Sequence, residues 1–495
     1  MSSTILLKGG TVIQLDENDK LSSVKADVLV KDDTIVQIES CIAPPAACDI
    51  IDCTDKIISP GFVDTHRHMW ETALKGLCED LTCVHYFSQM WTSSFVFTPD
   101  DLFWTTLAGC AEAVDAGTTT ILDFAHMNWT KHHGKQSLAG TITSGIRSVF
   151  ALAPTVTLKQ TSPTAEMTDD GLIPEWFMPL LRELATCNNI ASPLSSVSLA
   201  FGFDYYFLPK EIIQALFQEV KSLGIKTITS HWARFPGQEE SSLPRQMREY
   251  GILDKSIVLS HLGGATKDDA EVLCEAGAFV SASPSVEMTM GLGPPVVFRD
   301  DLPNMDSICS LGVDSHHATS GSMLNEMRVA LMSARGNDAQ TKLAAGEMAD
   351  KVCRTAHDGF IMSTIRGARA LGMEDSIGSI KVGKKADLVV FDTLSPAMTI
   401  AAQCDPVTAI VVHSSVADVN TVIVNGHIRK RHGKLLPFNK VEWQDDRTDF
   451  VMTGELEWKD VSAPVLDAHR RFTAKLPEHD MGVLNAFVKR LYGMP

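Results

Sequence analysis

Between about residues 59 and 376 the chain repeats one unit, a short apolar run joined to a stretch with helical signals, and this rhythm restricts the fold more than any other feature. TTTILDFA follows DLFWTTLAGCAEAVDAG, VSLAFGFD precedes PKEIIQALFQEVKSLG, SIVLSH precedes KDDAEVLCEAG, and ICSLGVDS precedes SMLNEMRVALMSAR, with KTITSHWA and AFVSASP between them. Strands separated by helices pair in parallel, because a parallel neighbour needs a long crossover. Thr98 before Pro99 supplies a capping hydroxyl ahead of proline at the first helical position, and Gly117 and Gly224 stand where helices stop. About eight strand positions in roughly 300 residues fit an α/β fold of the (β/α)₈ barrel kind better than an open doubly wound sheet, which remains the alternative. Either architecture places reactive groups at the carboxyl ends of the strands.

The two ends have a different texture. Residues 4–38 and 378–434 alternate short apolar runs with Gly, Asp and Asn, and Asn425-Gly426 is a strong tight-turn signal. The economical arrangement is one small β-sandwich made of residues 1–58 and 376–440, with the barrel, residues 59–375, inserted between. Two unrelated β-modules are the alternative. Residues 441–495, containing VLDAHRRF and GVLNAFVKRLYGMP, read as a helical extension packed on the barrel or on a partner subunit. A net charge of −18 gives no footprint for nucleic acid or an anionic membrane, so a small molecule is the expected partner. The eleven cysteines form no CxxC pair and read as reduced thiols. No long apolar run, no leader-like start and no targeting signal in Tyr492-Gly493-Met494-Pro495 is visible, so a soluble, cytoplasmic protein is expected.

The histidines follow the barrel's logic. His132, His133, His357, His432, His469 and His479 lie in polar or helical stretches, where a solvated imidazole is the default. His66 and His68 follow IISPGFVDT, His231 follows KTITS, His261 follows SIVLS and Asp314 follows ICSLGV, all at strand ends. In an extended strand residues i and i+2 point to one side, so His66 and His68 can converge on one cation. An isolated HxH is weak evidence, and its strength here comes from the other groups falling at strand ends independently.

PGFVDTHRH (60–68), SHWAR (230–234), VLSHLGG (258–264), LGVDS (311–315) and GSIKVGKKADLVVFD (378–392) resemble the amidohydrolase superfamily over nearly the whole chain. The likeness is greatest to the branch of triazine hydrolases and of cytosine, guanine and adenosylhomocysteine deaminases. It implies a distorted (β/α)₈ barrel with a β-sandwich from both termini, a divalent cation held by His66, His68, His231 and Asp314, and His261 beside it. Zinc is the favoured ion and iron(II) the alternative. Such an ion lowers the pKa of water from 15.7 to about 7, with Asp314 and His261 as the catalytic pair. Two-metal members use a carboxylated lysine at the end of the fourth strand; VSLAFGFDYY has none and Lys210 lies beyond it, so one ion is expected. Homo-oligomers are common among relatives.

The chain also departs from that pattern. Ring deaminases of the branch carry a glutamate three residues after the fifth-strand histidine, where Arg234 stands. An arginine cannot relay protons, so it is read either as a clamp for a substrate anion or as the partner of a structural acid. Glu287 in SASPSVEMTMGLGPP is a candidate replacement acid. His126 after TTILDFA is a candidate substrate contact, and Trp70, Glu71, Trp91 and Met288 are candidates for an apolar pocket around a planar ligand. His316 and His317 follow Asp314 too closely to converge easily on its ion. The expected activity is metal-dependent hydrolysis of a C–N bond in a cyclic amide, an amidine or an amino-substituted heterocycle. A metal-assisted decarboxylase and a noncatalytic binding protein on the same fold are the alternatives.

Overall fold

A computed structural model describes residues 3–192 and 195–491. Eight parallel strands form the central sheet: β1 (Phe62–Arg67), β2 (Thr118–Ala125), β3 (Arg147–Leu152), β4 (Val197–Gly202), β5 (Ile228–Ala233), β6 (Ile257–Gly263), β7 (Phe279–Ala282) and β8 (Cys309–Leu311), each hydrogen-bonded to the next. The sheet closes where Arg67 bridges to Asp314 in parallel and the Asp314 N–H donates to the His66 carbonyl at 2.8 Å. The open-sheet alternative is thereby set aside. Closure is helped by a polar layer inside the barrel, where Thr65 Oγ1 lies 2.7 Å from Ser281 Oγ and 2.8 Å from Ser310 Oγ. Gly312 is required at the seam, since a Cβ there would stand 2.7 Å from the His66 carbonyl oxygen. β1, β2, β3 and β6 are buried along their whole length, as a parallel sheet covered by helices demands. The helix Pro99–Asp115 begins as its sequence predicts, with Thr98 and Asp101 in a reciprocal capping box.

Both ends of the chain build one nine-stranded sheet. Lys56–Pro60 lies between the strand Thr4–Leu15 and the late strand Leu388–Asp392, which it pairs antiparallel. This rules out two separate β-modules. A register shift between Leu7 and Gly10 bends the first strand, so that its start pairs with Asp49–Asp52 and its later part with Lys56–Pro60. Asn425 and Gly426 both have positive φ, 51° and 74°, and turn Val419–Val424 into His427–Arg431. The shared strands are apolar on both faces: Ile58, Val390 and Ile423 face the sheet's own core, while Ile57, Val389 and Val422 join the barrel's.

The extension differs from the all-helical expectation. It opens with a hairpin, Phe438–Gln444 against Asp449–Leu456, before the helices Trp458–Lys475 and Met481–Leu491; the last four residues of the predicted helical stretch, 492–495, lie outside the described residues. The hairpin is held by a cross-strand Trp443–Phe450 ring contact with centroids 5.0 Å apart. It docks on the helix Lys131–Ser144, where Val441 N–H donates to Thr143 Oγ1 at 3.1 Å and the Lys135 ammonium sits 4.0 Å from the Trp443 ring centre. All eleven cysteines are free thiols. Among the described residues no helix is long and apolar enough to cross a membrane.

Barrel and terminal sheet are joined by a buried ion pair. Arg147 at the start of β3 donates to Asp387 from Nε at 2.6 Å and from Nη2 at 3.0 Å, and to Asn425 Oδ1 at 2.8 Å. Asp387→Ala leaves that guanidinium buried and uncompensated, so denaturant unfolding should show a loss of about 3 to 5 kcal/mol. An unchanged midpoint would show that the joint contributes nothing to stability.

Candidate active site

The strand ends assemble four groups into a ring. One ligand atom from each of His66, His68, His231 and Asp314 lies within 4.8 Å of the others. Nε2 of His66 and Nε2 of His68 each stand 3.2 Å from Asp314 Oδ1, and the His68 and His231 Nε2 atoms are 3.2 Å apart. Two of the rings are oriented from behind. His68 Nδ1 meets the Phe124 carbonyl at 2.9 Å, and His231 Nδ1 meets Asp204 Oδ2 at 2.9 Å while Asp204 Oδ1 accepts the His231 backbone N–H at 2.8 Å. With Nδ1 as the donor, the Nε2 lone pairs of these imidazoles point inward at each other and at a carboxylate oxygen. Both ring nitrogens of the fully buried His66 lack a hydrogen bond. Inward lone pairs without donors fit a divalent cation, and three nitrogens with one oxygen suit zinc or iron(II). Asp314 holds its place with a left-handed φ of 62°, a strained backbone at the point of closure.

His261 stands beside this ring, with Nε2 3.5 Å from Asp314 Oδ2 and Nδ1 3.3 Å from Glu287 Oε1. Glu287, the candidate replacement acid, lies in the short helix Pro284–Thr289 after β7, buried, and accepts the Ser283 N–H at 2.8 Å. Burial alone would lower the His261 pKa, but Asp314 and then Glu287 outweigh it and raise it, while burial pushes the Glu287 carboxyl up.

A cavity of about 700 Å³ opens above the ring. His68, His231, His261 and Asp314 lie at its base, and Trp91, Phe124 and His126 contribute to its walls. Burial, with His68 and His231 nearby, holds His126 well below the usual imidazole range and neutral. Trp70 is buried behind His126 and donates from Nε1 to His126 Nδ1 at 3.3 Å. Met288 is 51% exposed and does not line the cavity. Its position on the outer face of a single-turn helix sends it to solvent while Glu287 goes inward.

Arg234 also stays out of the cavity. Its guanidinium donates to Asp269 Oδ2 at 2.8 Å, to the Ser241 carbonyl at 2.9 Å and to the Gly264 carbonyl at 2.5 Å. The chain leaves β5 at this point, and the buried Asp269, which caps the helix Lys267–Ala276, draws the cation toward the loop after β6. Of the two readings of Arg234, the structural pairing is the one formed.

Several participants were missed from sequence. Asp204, just past β4, obeys the same strand-end rule as the ligands, and its position after VSLAFGF is the signal that could have found it. Glu71, a pocket candidate, does not line the cavity and is buried against Tyr86 Oη at 2.5 Å and His317 Nδ1 at 3.4 Å, while His316 Nδ1 meets Glu112 at 2.7 Å, so neither late histidine enters the ring. Glu112 sits in the middle of a helix and carries no local signal. His133, expected in solvent, is buried between Thr130 Oγ1 and the Phe97 carbonyl.

The amidohydrolase family matches residues 57–429, and the chain belongs to that family. Fold and ligand ring together define a metal-dependent hydrolase acting on carbon–nitrogen bonds. Among its relatives, the 5′-deoxyadenosine deaminase of Methanobrevibacter smithii is 24% identical over 451 residues, 89% of this chain and 95% of that one. The 5-methylthioadenosine/S-adenosylhomocysteine deaminase of Acetivibrio thermocellus is 27% identical over 452 residues, 89% and 97% of the two chains. An adenosine deaminase from Xanthomonas campestris with bound zinc superposes with a TM-score of 0.73 at 20% identity, covering 95% and 99%. Atrazine chlorohydrolase from Arthrobacter aurescens, complexed with zinc, gives 0.74 at 18%, covering 94% and 100%.

Elemental analysis of His66→Ala should show the ion lost from a folded protein. Asp204→Asn should retain the fold and weaken metal affinity about 10- to 100-fold in competition with a chelator, because the His231 tautomer is no longer enforced. Arg234→Gln should cost on the order of 3 kcal/mol in unfolding with metal content and KM unchanged; a raised KM with intact stability would return it to the substrate site.

Proposed function

We propose that this enzyme hydrolyses the exocyclic C–N bond of an amino-substituted nitrogen heterocycle, adding water and releasing ammonia. The observation that carries the reading is the ligand ring at the base of an aromatic-walled cavity, with the His261–Glu287 pair beside it in place of an acid at position 234. The relatives named as deaminases of adenosine derivatives support it.

We assign His66, His68, His231 and Asp314 as the ligands of one ion, zinc in preference to iron(II), supported by the zinc-bound neighbours and by the absence of lysine at the end of β4. When bound, that ion supplies Lewis acidity and a water that ionises near neutral pH. Asp314 keeps one oxygen in the ring and turns the other toward His261, so it is placed to take the water's proton. His261 faces the same space through Nε2, held by Glu287 at Nδ1, and is placed to stabilise charge at the attacked carbon and pass a proton to the departing amine. Phe124 and Trp91 suit a flat ring, and His126 provides a polar contact beside them. The reading places the working enzyme in the cytoplasm as a homo-oligomer acting on a small molecule; eleven free thiols suit a reducing compartment. The decarboxylase alternative, motivated by Arg234 standing in place of an acid, is disfavoured by the Glu287 carboxyl beside His261.

The test is a panel of aminopurines, aminopyrimidines and aminotriazines with zinc-loaded enzyme, followed by coupled ammonia detection. One ammonia per substrate consumed is expected. Glu287→Gln should keep the metal and lower kcat about 100-fold. A metal-replete protein that releases no ammonia from any member would sink the proposal.

A further inference from the structure

Resting on that reading, we propose that His126 is a specificity-determining hydrogen-bond donor whose tautomer is set by Trp70, so that the substrate must present an acceptor there, an unprotonated ring nitrogen or an oxo oxygen. The indole N–H of Trp70 can only donate, and the side chain is buried with His126 Nδ1, at 3.3 Å, as its acceptor. Nδ1 must then carry the lone pair, which leaves the proton of a neutral imidazole on Nε2. The competing arrangement, Nδ1–H donating to the Phe124 carbonyl at 3.2 Å, would set two N–H groups against each other, and that carbonyl already faces His68 Nδ1 at 2.9 Å. The Nε2 atom has no hydrogen-bond partner among the described residues, although the side chain is nine-tenths buried and lines the cavity.

His126 is also held in position. Thr155 Oγ1 donates to its backbone carbonyl, and the Trp91 ring lies nearly parallel to the imidazole at 6.5 Å. Its ring centre is 4.2 Å from that of His68, yet it stands outside the group of ligands. A donor fixed this close to the ring of ligands reads the atom of the heterocycle lying along that wall. A substrate with an acceptor at this point completes the bond; one with C–H or N–H leaves the donor unpaired or opposed, a difference of about 10- to 100-fold in kcat/KM.

Long-range ¹H–¹⁵N spectra of protein labelled with ¹⁵N-histidine test the tautomer without any substrate, and the His126 signal is identified by its loss in His126→Phe. The expected wild-type pattern is Nε2-protonated, and Trp70→Phe should shift it toward Nδ1-protonated; an Nδ1-protonated wild type overturns the proposal. The second arm compares the heterocycle that releases ammonia with analogues in which each ring nitrogen in turn is replaced by C–H. His126→Phe should keep full metal content, lose about 10- to 100-fold on the parent compound and lose little on one analogue, with His126→Gln restoring part of the loss through its amide N–H. Equal losses on the parent and every analogue, or loss of the metal, overturn it. Absence of ammonia from all compounds counts against the hydrolytic reading, while the spectra still decide the tautomer.

Discussion

The seam between β1 and β8 is the constraint on which the rest depends. One backbone bond, Asp314 N–H to the His66 carbonyl, closes the barrel and sets the carboxylate of Asp314 against the imidazoles of His66 and His68. Asp64 reinforces it from below, since its Oδ1 accepts the Val313 N–H at 3.1 Å. Gly312 admits the close approach, and Thr65 ties the strands across the interior. The first and last strands therefore cannot separate without dismantling the ligand ring. Closure and chemistry are one arrangement, which is why the strained φ of Asp314 is tolerated there.

Charge near the seam is handled in layers. The fully buried Arg67 donates to Asp64, to Glu112 and to the Gly321 carbonyl at 3.0 Å. Burial would raise the Glu112 pKa, but His316, Arg67 and Lys75 hold it well below the ordinary carboxylate range. The same economy governs Arg234, whose charge is spent on Asp269 and two carbonyls, so the cavity wall above the ring stays aromatic and without that cation.

Much of this was legible in the sequence because barrel strands are short, buried and followed by punctuated helices. Strand ends could be located from TTTILDFA, SIVLSH and ICSLGV, and a group at a strand end faces the site. Side-chain direction past the strand was not legible. Arg234 was visible as a departure, but its partner Asp269 lies on another unit of the barrel. The inward direction of Glu287 was not legible, because a helix of six residues is too short to show a periodicity. The hairpin of the extension was hidden by the helical spacing of the segment after it, and Glu112 served the site from the middle of a helix.

The sequence by itself determined the strand and helix rhythm, the strand-and-turn texture of its two ends, and the candidate set His66, His68, His231, His261 and Asp314. These follow from local pattern, turn chemistry and the rule that strand ends carry function. Tertiary structure alone decided the tautomers enforced by Asp204, Phe124 and Trp70, the burial of Glu287 against His261, and the turning of Arg234 away from the cavity. Those outcomes depend on which hydrogen-bond partners a buried group meets across the barrel. Residues distant in the chain supply those partners, and no local pattern encodes them.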